Sequence, residues 1–141
     1  METIHETLRF LHSGLRWLFV GLTLFTSAYF SIRLAARRDY DILSGRLATS
    51  YSALLAIQWV VGIVFLFTAA IPGNLAAHIL MTTFAMIAAQ TYFFWRRNVM
   101  PVAVRYQRLL LLIVVVSVLM LLGIAALSPD IQWRFYSNAS E

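Results

Sequence analysis

The stretch LLLLIVVVSVLMLLGIAAL, residues 109–127, runs for nineteen residues with no charge and a single hydroxyl, Ser117. A helix rising 1.5 Å per residue covers roughly 28 Å over that length, about the thickness of a bilayer's hydrocarbon core. Lipid offers peptide groups no water to bond, so such a run is stable only with its backbone hydrogen bonds closed inside a helix. Three more long apolar runs lie upstream, at 75–95, 48–70 and 10–34. None has the apolar–polar alternation of a barrel strand. The chain therefore reads as an all-α integral membrane protein, one four-helix transmembrane domain over residues 1–141.

Composition agrees. Soluble proteins are roughly half apolar and a quarter charged, whereas 61% of this chain is hydrophobic, 12% is charged and the mean hydropathy is +0.78. The absence of cysteine excludes disulfides, thiolate zinc, iron–sulfur clusters, cysteine nucleophiles and thioether-attached haem together. The net charge of +5 comes from eleven arginines and no lysine against six acids. These arginines fall between apolar runs rather than along one soluble face, so nucleic acid is not an expected partner. No carboxylate lies within a span, which leaves hydrolytic acid–base chemistry without candidates. The first run is too long for a cleaved leader and ends in Arg33, Arg37 and Arg38.

Turn residues divide the spans. Thr3 and Glu6 have capping-box spacing, which predicts that the first helix starts ahead of the membrane and enters it as one rod. Ile71-Pro72-Gly73-Asn74 predicts a tight turn between spans 2 and 3. The segments 36–46 and 96–108 read as polar loops, and Ser128-Pro129-Asp130 as the end of helix 4. In the tail, residues 128–141, Gln132-Trp133-Arg134-Phe135-Tyr136 has the composition of an interfacial anchor. Eight arginines (33, 37, 38, 46, 96, 97, 105 and 108) flank the two longer loops, against Arg9, Arg16 and Arg134 on the other side. The positive-inside rule then predicts cytoplasmic loops and an up-down bundle with both termini extracytoplasmic.

Polar residues within spans are costly and mark function or partners. His12, Arg16, Thr23 and Ser27 recur at helical spacing in span 1, and His78, Thr82, Ala85, Ala89 and Tyr92 in span 3. Both stripes are expected to face other helices. Gln58 and Gly62 form a shorter stripe in span 2, while span 4, with Ser117 and Gly123, reads as a packing helix. His12 lies two residues past Phe10 and His78 three past Leu75, so their depths agree to within about one turn if spans 1 and 3 are parallel. Two imidazoles at matched depth suit a low-spin b-type haem, and Arg16, a turn deeper, suits a haem propionate. The plainer readings are histidines bonded to carbonyls, headgroups or water, and an arginine snorkelling to lipid phosphate. His5, on the same face as His12, reads as a juxtamembrane histidine. Gln58 and Gln90 read as interhelical hydrogen-bonding residues or as quinone contacts, and Trp17, Trp59, Trp95 and Trp133 as belt residues.

The motif Leu11-His12-Ser13-Gly14-Leu15-Arg16-Trp17, followed in span 3 by His78-Ile79-Leu80-Met81, resembles a small bacterial family of four-span, cytochrome b-like membrane proteins. The resemblance implies b-haem binding in a bacterial inner membrane. Members often carry a further histidine in span 2, near Leu54-Leu55-Ala56-Ile57-Gln58, and its absence here speaks against a second haem. Two function classes follow. One is an electron carrier with a single haem between His12 and His78, linked to a quinol or an extracytoplasmic carrier. The other is a cofactor-free accessory subunit of a larger respiratory or photosynthetic complex. A transporter lacks the inverted repeat and broken helices it would need.

Overall fold

The computed structural model describes residues 2–67 and 75–127. It contains four helices: α1 (Glu2–Ala35), α2 (Ile42–Leu66), α3 (Leu75–Trp95) and α4 (Val102–Ala125). No strand occurs among the described residues. Each helix is long and apolar enough to cross a membrane. Large apolar side chains such as Leu24, Phe25, Ile32, Phe84, Leu111 and Leu121 point outward. That outward surface would be a liability in water, and it is the surface lipid solvates. The protein is a multi-pass transmembrane helical bundle.

Helix α3 matches the expected span, but three others extend beyond theirs. Helix α1 already includes Glu2, so Thr3 is not its N-cap and the Thr7 hydroxyl instead donates to the Thr3 carbonyl at 2.8 Å. The single continuous rod holds. Helix α2 starts at Ile42 rather than near 48, because the Asp41 side chain caps it by accepting from the Ser44 amide. Helix α4 starts at Val102, directly after Pro101. A backbone helix does not stop where hydrocarbon stops, so hydropathy places these two ends late. The turn at 71–74, the helix stop at 128–130 and the 128–141 tail lie outside the described residues.

Each helix packs on its neighbour in sequence, and α4 closes against α1, which leaves α1 and α3 diagonally opposed. The core holds Phe19, Phe30, Tyr51, Leu55, Leu109 and Val116 around Ala85 and Ala89 of α3. Small residues let helix backbones approach, which matters where packing replaces the hydrophobic drive. The Ser52 hydroxyl donates to the Ala89 carbonyl at 2.9 Å and the Gln90 amide to the Ser52 carbonyl at 3.1 Å. The Trp59 indole donates to Thr83 Oγ1 at 2.9 Å. Gln90 is therefore an interhelical hydrogen-bonding residue.

The α3 stripe faces inward, with Ala85, Ala89 and Tyr92 buried. The α1 stripe lies along a helix seam rather than at the centre, with His12 packed on α2. Phe19, Thr26 and Phe30 hold the centre, while His12, Arg16, Thr23 and Ser27 are half-buried. Thr23 and Ser27 donate to carbonyls of their own helix, Phe19 and Thr23, at 2.8 and 2.7 Å. A hydroxyl satisfied on its own backbone has no need of the bundle centre.

One end of the bundle is tied by Asp41. Its carboxylate accepts from the Ser44 amide and hydroxyl (2.8 and 2.7 Å) and from the Tyr29 hydroxyl (2.9 Å), and it pairs with Arg33 at 3.0 Å. The Tyr106 hydroxyl of α4 accepts from Arg33 Nε (3.3 Å), lies 2.9 Å from Ser44 Oγ and donates to the Asp39 carbonyl at 3.1 Å. Arg33 also donates to that carbonyl. The hydrogen bonds from Ser44, together with Tyr29 and Arg33, hold the Asp41 carboxyl down at about 2. Helix α4 is thus more than a packing helix. Tyr106, fully buried, joins three segments and fell in the stretch read as a loop.

Candidate functional site

The histidines occupy the opposite end, in two separate helix seams. His12 of α1 rests over Gly62 of α2. A Cβ on Gly62 would stand 3.0 Å from the imidazole Cε1 and 3.3 Å from Nδ1, so any larger residue would push the ring out of this position. Gln58, one turn earlier in α2, is 4% exposed and its Nε2 donates to the His12 carbonyl at 3.0 Å. The same Nε2 lies 3.2 Å from the ring's Nδ1 and 3.4 Å from its Nε2. The amide can donate only to the ring nitrogen that carries no proton, so the tautomer of His12 sets which of the two accepts. Gln58 Oε1 is buried with no hydrogen-bond partner among the described residues.

Phe65 closes this seat. Its ring centroid lies 6.2 Å from that of His12 and 4.9 Å from that of His5. His5 and His12 share a face as their seven-residue spacing requires, and His5 packs on the end of α2 rather than standing in solvent.

His78 occupies the seam between α3 and α4, with Nδ1 2.9 Å from the Gly123 carbonyl. A carbonyl can only accept, so Nδ1 carries the proton and Nε2 keeps its lone pair. This is the arrangement by which ligating histidines fix tautomer and ring orientation. Gly123 keeps the seam tight: its missing Cβ would stand 3.3 Å from Met81 Cβ and 3.5 Å from the His78 carbonyl oxygen. Thr82 donates to that oxygen at 2.8 Å.

Arg16 lies one turn beyond His12 on α1, and Arg16, His12 and His78 are all half-buried. The Arg16 guanidinium is also 5.7 Å from the Trp17 ring centroid. Among the described residues no group of three or more His, Cys, Asp or Glu comes together. A tetrahedral metal site needs at least three such ligands, whereas a planar macrocycle that supplies four of its own needs two.

Sequence reading singled out His12, Arg16 and His78, and Gln58 with Gly62 as a short stripe, but not that Gly62 seats the His12 ring or that the Gly123 carbonyl orients His78. The signal for the first was present, since Gly62 follows Gln58 at a spacing of four. Compared with known proteins, the chain matches no family model, no curated protein and no solved structure.

Proposed function

We propose that this protein is a small membrane electron carrier in which His12 and His78 hold one b-type haem. The observation that carries the reading is the His78 Nδ1 to Gly123 carbonyl bond, which leaves Nε2 as a lone-pair donor fixed in direction. The remaining residues fit the group. His12 offers a second imidazole on the diagonally opposed helix, and in its neutral form one of its two ring nitrogens carries a lone pair. Arg16 supplies a cation for a propionate. When bound, haem supplies one-electron redox chemistry. The chain's own residues orient two imidazoles, offset anionic charge and, through Phe65 and the glycine-tight seams, limit water.

The matched ends of neighbouring helices fit an up-down bundle. His12 near the start of α1 meets Gln58 near the end of α2, and Tyr29 meets Asp41. With the arginine-rich loops in the cytoplasm, both termini are extracytoplasmic and the histidines lie near the outer face of a bacterial inner membrane. A quinol or an extracytoplasmic carrier is then the natural partner.

Purification of the full chain with haem supplied tests the reading. The expected result is a six-coordinate low-spin b spectrum that His12→Ala and His78→Ala each abolish or convert to high-spin. Wild-type protein without haem, or both variants retaining an unaltered spectrum, overturns it in favour of a cofactor-free accessory subunit.

A further inference from the structure

At the Asp41 end a half-open cavity of about 330 Å³ lies between α1 and α4. Its polar wall is Arg33, Arg37, Arg38 and Asp39, and its apolar wall includes Leu34 and Val102. That volume is at the lower end of small-molecule sites, about 300–1,000 Å³. Three arginines against one aspartate leave its lining at a formal +2. Arg33 is already matched by Asp41 at 3.0 Å. The side chains of Arg37 and Arg38 have no hydrogen-bond or ion-pair partner among the described residues and are exposed.

Backbone geometry singles out Arg37 independently. Helix α1 ends in a Schellman motif, with the Arg38 amide donating to the Arg33 carbonyl (3.0 Å) and the Arg37 amide to the Leu34 carbonyl (3.1 Å). The motif puts Arg37 at φ 49°, the one non-glycine residue of the described chain with positive φ. Glycine takes this position at no steric cost, whereas an arginine there is strained. Strain of this kind is kept where the side chain has a use. Here the left-handed turn brings Arg37 into the same cavity as Arg33.

We propose that this cavity binds a phosphate group, presented by the headgroup of an anionic phospholipid. Guanidinium forks match phosphate oxygens in pairs. The site sits where α1 leaves the membrane-spanning stretch, and basic pockets between helices at that level take anionic headgroups. The wall of Leu34 and Val102 gives the glycerol and first acyl carbons an apolar surface. A free phosphate ion would use the same arginines but leave that wall unused.

The test uses the full chain in nanodiscs of phosphatidylcholine, with and without phosphatidylglycerol, read by thermal midpoint and by native mass spectrometry of retained lipid. Phosphatidylglycerol is expected to raise the midpoint and to be retained in preference to phosphatidylcholine. Arg37→Gly is expected to raise the midpoint in pure phosphatidylcholine by relieving the strain, yet to lose most of the phosphatidylglycerol increment. Each arginine removed should weaken binding about fivefold. Arg97→Gln, outside the cavity, should leave the increment intact. Millimolar inorganic phosphate in phosphatidylcholine discs separates the sources: protection by it assigns the site to free phosphate, and protection by the lipid alone assigns it to the headgroup. An increment unchanged in Arg37→Gly, or equally reduced by Arg97→Gln, overturns the site.

Discussion

The two ends of the bundle spend their polar groups differently. At the Asp41 end, Arg33, Tyr29, Ser44 and Tyr106 all find partners, and one carboxylate accepts from several donors at once. At the histidine end, one imidazole keeps a lone pair and a buried amide oxygen has no partner. Closed networks fix geometry, and spare hydrogen-bonding capacity in a buried place is where a ligand can bind. The contrast is between these two sets of side chains, the first of them a structural lock, and not between whole ends, since beside the lock the Tyr40 hydroxyl, packed on Tyr106, is also buried with no hydrogen-bond partner among the described residues.

The largest expected effect comes from opening the lock. Tyr106→Phe removes a fully buried hydroxyl that joins Arg33, Ser44 and the Asp39 carbonyl. Leaving such partners short costs about 1–3 kcal/mol. Unfolding of the reconstituted protein in dodecyl sulfate should show that loss. At the same time the haem spectrum, set at the far end, should not change. A spectral change equal to that of a histidine variant would dissolve the distinction between the ends.

Next in size is Gly62→Ala. Its methyl would meet the His12 ring at 3.0 Å, so the ring must move. One added methyl in a tight seam costs about 1 kcal/mol, the low end of overpacking penalties. Unlike Tyr106→Phe, it should alter the haem spectrum or lower haem retention. Stability lost with an unchanged spectrum would place His12 outside the site.

How far the sequence carries differs between the same two ends. Residues 109–127 and 75–95 settle the helical membrane fold, because a long uncharged run has no other stable state in lipid. His12, His78 and Arg16 are legible because polar residues stand out in such runs. The lock is not. Asp41, Ser44 and Tyr106 lie where the chain leaves hydrocarbon, and there hydropathy is silent on whether a helix continues. Nor does a sequence say which neighbour a half-buried ring faces: His12 turns to α2 and lies over Gly62, and His78 turns to α4 and bonds the Gly123 carbonyl.

A smaller effect follows from acid. The Asp41 carboxyl is held at about 2, below its ordinary 3.8. A depressed acid contributes stability in full above its unfolded value and loses it as pH falls through its folded one. Wild-type stability should therefore decline between pH of about 4 and 2, with a shallower decline in Asp41→Asn. Dodecyl sulfate unfolding across that range measures both. Parallel curves would mean that the carboxylate's partners do not stabilise its charge.

The smallest expected change is the one that bears most on the histidine end. Gln58→Leu deletes the bond from Nε2 to the His12 carbonyl, and bonds between membrane helices average about 0.6 kcal/mol. It also deletes Oε1, a buried acceptor without a partner, whose desolvation opposes folding by about 1–3 kcal/mol. For the haem-free protein the two contributions offset, so stability should stay level or rise. The matching change at the other end, Ser44→Ala, should cost stability, since the Ser44 hydroxyl is buried and lies within bonding distance of both Asp41 and Tyr106. Measured side by side in one unfolding series, opposite signs would show that only one of the two sets is closed. A clear loss for Gln58→Leu in haem-free protein would mean that Oε1 already has a donor, such as an ordered water, and that the histidine end is as closed as the lock.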